Sequence, residues 1–176
     1  NPSLWFNMGN QYYNYNPGLA NDNNIDNYKI LTSSAVRSGA GLATLFWTTN
    51  SLWLAQFTGN SQSVFSYTNL SNSISLMSQN SAIEANGIYY WIGEDRFHMY
   101  SGAVQPLPNQ QNCIWFYDNL NFTYRSKVFA FKNPRFNEIW WVFPKGSSTE
   151  CNHAIVYNYV ENSWYDTPWE RTAGYY

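Results

Sequence analysis

The chain has 176 residues, a net charge of -2 and 11% charged residues, against about 25% in a typical globular chain. That balance excludes a nucleic-acid binder of the usual basic kind, whose affinity comes from neutralising phosphates. It does not exclude a wall that DNA merely passes. Its 2 cysteines make neither a disulfide framework nor a four-ligand zinc site.

Aromatic residues make up 20% of the chain, as 15 Tyr, 11 Phe and 9 Trp. Solubility therefore rests on Asn, Ser, Thr and Gln. Asn is poor in strand centres and helix interiors and good in turns, because its side chain mimics backbone hydrogen bonds. Many aromatics with many turn formers predict short strands joined by frequent turns. The length suits one domain or part of a larger one. No apolar run has the length of a membrane span, and no signal peptide is visible. The ends, Asn1-Pro2 and Ala173-Gly174-Tyr175-Tyr176, read as cuts through structure, which is the expectation for a fragment of a longer polypeptide.

Residues 1–40 read as an irregular connecting segment or the edge of a preceding unit. Asn1 to Asn27 lacks apolar periodicity of either kind, and Tyr12, Tyr13 and Tyr15 are its candidates for packing on a neighbour. Tyr28 to Leu31 is a candidate short strand. Gly39-Ala40-Gly41 breaks the chain. Residues 41–176 carry the recurring β pattern. Leu42 to Trp47 and Leu52 to Phe57 form a hairpin about the polar turn Thr48 to Ser51. Gly59-Asn60 ends it, and Val64 to Thr68 is a further strand. Ser71 to Asn80 is polar apart from Ile74, Leu76 and Met77.

The pattern restarts at Ala82 to Ala85. Asn86-Gly87 is a strong two-residue hairpin signal. Ile88 to Ile92, a turn at Gly93-Glu94-Asp95, and Arg96 to Tyr100 follow. Ser101-Gly102 then turns into Ala103 to Leu107. Between Asn112 and Tyr124 the apolar spacing is irregular, and a short helical turn around Trp115 to Leu120 fits it. Lys127 to Phe131 is a strand. Ile139 to Phe143, the loop Pro144 to Thr149, Ala154 to Tyr159, the turn Glu161-Asn162 and Ser163 to Tyr165 complete the chain as strand, loop, strand, turn and strand. Trp140, Trp141 and Trp164 are expected in the core, and the 144–153 loop is where contacts are expected.

The hairpin units return at roughly the 40–50 residue spacing of propeller blades. A blade buries both faces of its sheet, and aromatics here occupy both faces of most strands. The fold class expected is all-β, an antiparallel β-propeller of several four-stranded blades. A β-sandwich is the competing architecture.

Candidate chemistry is thin. Cys151 and His153, with Cys113 and His98 upstream, match no standard zinc spacing, and an ordinary loop cysteine and histidine fit them better. Glu94 and Asp95 sit where a hairpin reverses, which suits turn residues. A glycosidase would need a second carboxylate across a cleft, with Glu84 or Asp118 supplied only by tertiary folding. Arg125, Lys127, Lys132, Arg135 and Lys145 make the second half locally basic. Solvated strand edges guarded by lysine explain them better than a DNA-contacting wall. There is no nucleophile motif, phosphate-binding loop or dinucleotide fingerprint. The expectation is no enzyme, and catalytic, cofactor-binding and metal residues: none.

One set of motifs carries a resemblance. It comprises Asn137-Glu138-Ile139-Trp140-Trp141, the loop Pro144 to Glu150, Val156-Tyr157-Asn158-Tyr159 and Asn162-Ser163-Trp164-Tyr165. Upstream, Phe46 to Leu54 and Asn86 to Gly93 extend it, and Arg171-Thr172-Ala173 looks like the opening of a next blade. In this order they resemble the β-propeller of tail nozzle or hub proteins of short-tailed bacteriophages. The resemblance covers most of residues 40–176. It implies a virion structural protein that closes and gates the DNA exit channel, usually as a homohexameric ring. It further implies assembly in the bacterial cytoplasm, neighbouring adaptor and portal-complex proteins as partners, and passage of genomic double-stranded DNA. A head-completion protein that stabilises packaged DNA is the alternative within the same resemblance. From another class, a carbohydrate-binding propeller would need exposed aromatics near Asn or Asp on one rim.

Overall fold

The computed structural model describes residues 29–36, 43–58, 65–108, 110–171 and 173–174. The expectations for Asn1 to Asn27, Gly39 to Gly41, Gly59-Asn60 and Val64 lie outside them. The described chain is mostly β, in three four-stranded antiparallel sheets rather than the two of a sandwich.

Each sheet is a meander of four consecutive strands. The first holds β1 (Ile30–Val36), β2 (Ala43–Thr48), β3 (Leu52–Phe57) and β4 (Phe65–Ser71). The second holds β5 (Ala82–Ala85), β6 (Ile88–Ile92), β7 (Phe97–Tyr100) and β8 (Val104–Pro106). The third holds β9 (Phe129–Asn133), β10 (Glu138–Phe143), β11 (His153–Asn158) and β12 (Ser163–Pro168). Strand β1 lies inside the 1–40 segment and pairs with β2 from Val36↔Ala43 to Ile30↔Thr48. Sheet structure thus begins ahead of residue 41.

The turns follow side-chain chemistry. Thr48 and Ser51 are buried and close the β2–β3 turn on each other, with the Thr48 Oγ1 and Ser51 Oγ atoms 2.7 Å apart. Asn86 and Gly87 both take positive φ, 53° and 80°, as a two-residue turn matched to the strand twist requires. Asn137 and Asn162 supply the positive φ in the β9–β10 and β11–β12 turns. Asn tolerates that region better than other side chains because it bonds its own backbone.

The segment between the second and third sheets departs from the sequence reading. It holds a full helix, α1 (Gln110–Asn119), followed by a 3-10 segment (Phe122–Lys127). Among the described side chains of the helix only Phe116 is wholly buried, so its apolar face is too narrow to show as helical periodicity. Backbone bonds from Asn121 N to Pro144 O (2.8 Å) and from Gly146 N to Asn119 O (2.7 Å) seat this segment on the 144–152 loop.

Two cores lie between successive sheets. Between the first and second, Leu45, Trp47 and Leu52 meet Tyr89 and Trp91, sealed by Ile74 and Leu76 from the connecting segment. Between the second and third, Tyr90, Ile92 and Phe97 meet Ile139, Trp141, Phe143, Ile155 and Tyr157. The strand register explains the sorting: Ile139, Trp141 and Phe143 alternate to one face of β10, and Trp140 and Val142 to the other. Trp164 packs on the core side of β12, stacked on Trp141 with ring centroids 6.1 Å apart. The far face of the third sheet carries Phe129, Phe131 and Trp140 under Trp169.

The first strands of the sheets come together. Ala130 N donates to Asn80 O at 2.7 Å, within a parallel bridge between Asn80 and Phe129. Ser78 Oγ donates to Val128 O, and Lys132 on β9 pairs with Glu84 on β5 at 3.2 Å. Strand β1 is tied to the second strand of the next sheet, where the Tyr89 hydroxyl of β6 donates to Ala35 O at 2.6 Å, and its Thr32 shares a cavity lining with Ala82 of β5 and Phe129 of β9.

Candidate functional site

Two of the concavities left by this packing bear on function. The first lies where the leading strands meet. Thr32 of β1, Ala82 of β5, and Phe129 and Ala130 of β9 line a cavity of about 650 Å³, with Gly174 at its edge. Its charged residues, Lys127 and Glu150, pair with each other. With that pair the lining carries no net charge, and polar and apolar groups share it.

The second lies at the end of the second sheet. The Gly93–Arg96 turn, Pro106–Pro108, helix α1 and Phe122 enclose about 730 Å³. Tyr117 fixes the helix to the turn, its hydroxyl donating to Gly93 O at 2.7 Å, and burial pushes that phenol's pKa up. Ile114 and Phe122 border the cleft and are 53% and 44% exposed. Asp118 sits one helical turn beyond Ile114, so the two share a face.

The carboxylates single out one candidate grouping. Glu94, Asp95 and Asp118 all line this cleft, whereas Glu84 lies elsewhere, bonded to Lys132 and to Gly87 N. Asp95 is engaged by Arg96 Nε at 2.7 Å, and Glu94 by Arg125 Nε at 3.4 Å. Arg125 also lies over the Phe122 ring, 4.6 Å from its centroid. Asp118 makes no ion pair among the described residues. The paired Glu94 and Asp95 are turn residues held in place by their cations.

The cysteines and histidines are dispersed. Among the described residues no group of three or more His, Cys, Asp and Glu side chains is placed to hold a metal. Cys151 is buried with its thiol 3.3 Å from Lys127 O, and burial pushes its pKa up to about 11. The Cys113 thiol is also raised by burial. His98 is buried and stacked on Trp91 at 5.2 Å, with Nε2 lacking a hydrogen-bond partner among the described residues. Desolvation lowers its pKa to about 4, against a weaker upward pull from Asp95. His153 pairs with Asp166 at 2.8 Å across β11 and β12, with Trp115 and Phe143 beside its ring.

The basic residues are individually engaged. Arg125, Lys127 and Lys132 each pair with a carboxylate. Lys145 lies over Trp115 and Arg135 over Phe136. The His153–Asp166 pair and the Ile114–Phe122 cleft were not foreseen from sequence. Nothing local in the sequence marks the cleft as a whole: Ile114 and Asp118 share a helix face, and Phe122 lies beyond the helix, in the 3-10 segment.

No protein-family model matches the chain, and no curated protein matches it.

Proposed function

We propose that the chain forms three consecutive blades of a β-propeller and works as a structural part of a virion, in the tail nozzle or hub of a short-tailed bacteriophage. The observation that carries the reading is topological. Three four-stranded meanders follow one another, and their first strands gather about one cavity, the arrangement a propeller uses to surround its axis.

The interfaces suit mechanical work. Successive sheets meet through fully buried Trp47, Trp91 and Trp141, and burying one large aromatic stabilises by about 2–3 kcal/mol. The motifs that carry the phage resemblance fall on corresponding parts of the blades: Phe46 to Leu54 on the β2–β3 hairpin, Asn86 to Gly93 on β6, and Asn137 to Tyr165 on β10 to β12. The proposed protein is no enzyme. It assembles as a homohexameric ring with neighbouring adaptor and portal-complex proteins, and genomic DNA passes through the ring.

The test is cryo-electron microscopy of purified particles that encode this sequence, with mass spectrometry of their proteins. The expected result is density for a bladed ring at the tail tip into which the three sheets fit. Absence of the chain from purified particles, together with specific binding on a glycan array, would sink the reading and favour a carbohydrate-binding module.

A further inference from the structure

The cleft between the Gly93–Arg96 turn and helix α1 has an electrostatic imbalance. Asp118 lies in the last turn of α1, at the negative end of the helix dipole, and that turn holds no basic residue. A cation is the group this position lacks, and it stands beside exposed apolar surface from Ile114 and Phe122. The complement is therefore a positive charge next to an apolar side chain.

The chain itself displays that pair. At the β9–β10 turn Arg135 lies over the ring of Phe136, 5.4 Å from its centroid. Phe136 is 54% exposed, and Arg135 makes no ion pair among the described residues. The backbone of the tip is held at two points: Phe136 N donates to Asn133 O at 3.2 Å, and Asn158 Nδ2 donates to Phe136 O at 3.0 Å. A preset turn loses little freedom on docking.

Tip and cleft lie at opposite ends of the sheets. The Lys132–Glu84 pair places the β9–β10 turn beside the β5–β6 turn, and the cleft is built on the β6–β7 turn at the other end of the second sheet. One molecule cannot fill its own cleft. We propose that the Arg135–Phe136 tip of one copy docks in the Ile114–Asp118–Phe122 cleft of a second copy, Phe136 against the apolar wall and Arg135 on Asp118. The contact is head-to-tail, so repeating it closes a ring or extends a filament. It supplies an interface for the assembly proposed above and rests on that reading only for the number of copies.

Sedimentation velocity and native mass spectrometry on the whole chain test the contact, using Asp118→Arg, Arg135→Asp and the double exchange. Both residues are exposed, so circular dichroism should show native spectra throughout. If Asp118→Arg fails to fold, Asp118→Asn and Phe136→Ser probe the same contact. The wild type should self-associate. Each single reversal should weaken association about tenfold or more, and the double exchange should restore most of it. A wild type that stays monomeric to its solubility limit, or an oligomer indifferent to every variant, overturns the contact. An oligomer that responds to the exchanges but is not six-membered upholds the contact and counts against the hexameric ring alone.

Discussion

Replacing Trp141 with Ala tests whether the second and third sheets hold each other. Trp141 is fully buried between them. Its ring lies 5.2 Å from Phe97 and 6.1 Å from Trp164, centroid to centroid. Its Nε1 donates to Ser81 O at 2.9 Å, tying β10 to the start of the second sheet. A buried Trp→Ala change costs about 3–5 kcal/mol through lost burial and the cavity left behind. The orphaned Ser81 carbonyl adds about 1 kcal/mol. The total, about 4–6 kcal/mol, compares with a whole stability of about 5–15 kcal/mol. Trp141→Phe keeps most of the ring and loses the donor, and should cost about 1–3 kcal/mol. Urea titration followed by circular dichroism measures both, and the melting temperature should fall by about 10–20 °C for the Ala variant. An Ala variant within about 1 kcal/mol of wild type would refute the interface. Equal losses for Ala and Phe would refute the role given to burial.

Two further predictions concern titratable groups. His98 has a folded pKa of about 4, below the ordinary 6.5, so the unfolded chain binds the proton more readily. Stability from the neutral ring is full above pH 6.5 and is lost as pH falls toward 4, by about 3 kcal/mol in all. Urea midpoints across that window should therefore drop for wild type and flatten for His98→Phe. An unchanged slope in the variant would show that another group carries the effect. Cys151, buried and with its pKa raised to about 11, should react with an aromatic disulfide reagent at pH 8 far more slowly when native than when unfolded. Equal rates would mean that the thiol is not enclosed as described.

Much of the β architecture was legible along the chain. Asn86-Gly87 marked its turn because two successive positive φ angles exclude most other residues. Ile139 to Phe143 announced a strand buried on both faces, and the alternation of Trp140 with Trp141 follows from the two-residue period. Helix α1 was legible only as a helical turn, since among its described side chains a single wholly buried one, Phe116, anchors it. The cleft escaped because its residues come from a turn, a strand end, a helix and a 3-10 segment, and no local pattern links them.

The sequence by itself located most strands and the turns between them, because side-chain period and turn chemistry are local properties, but not every bound: β1 runs on to Val36 and β12 to Pro168, past the ends read at Leu31 and Tyr165. It also led to the expectation that both faces of most strands are covered, which holds for inner strands such as β6, β10 and β11, whereas β1, β4, β8 and β12 keep exposed positions. Tertiary structure decided which faces meet. It paired Lys132 with Glu84 and bonded Trp141 to Ser81, and it placed Asp118 with Glu94 and Asp95 around one cleft. Those neighbours are set by how one sheet packs on the next, a long-range choice that the order of residues encodes only through the folded whole.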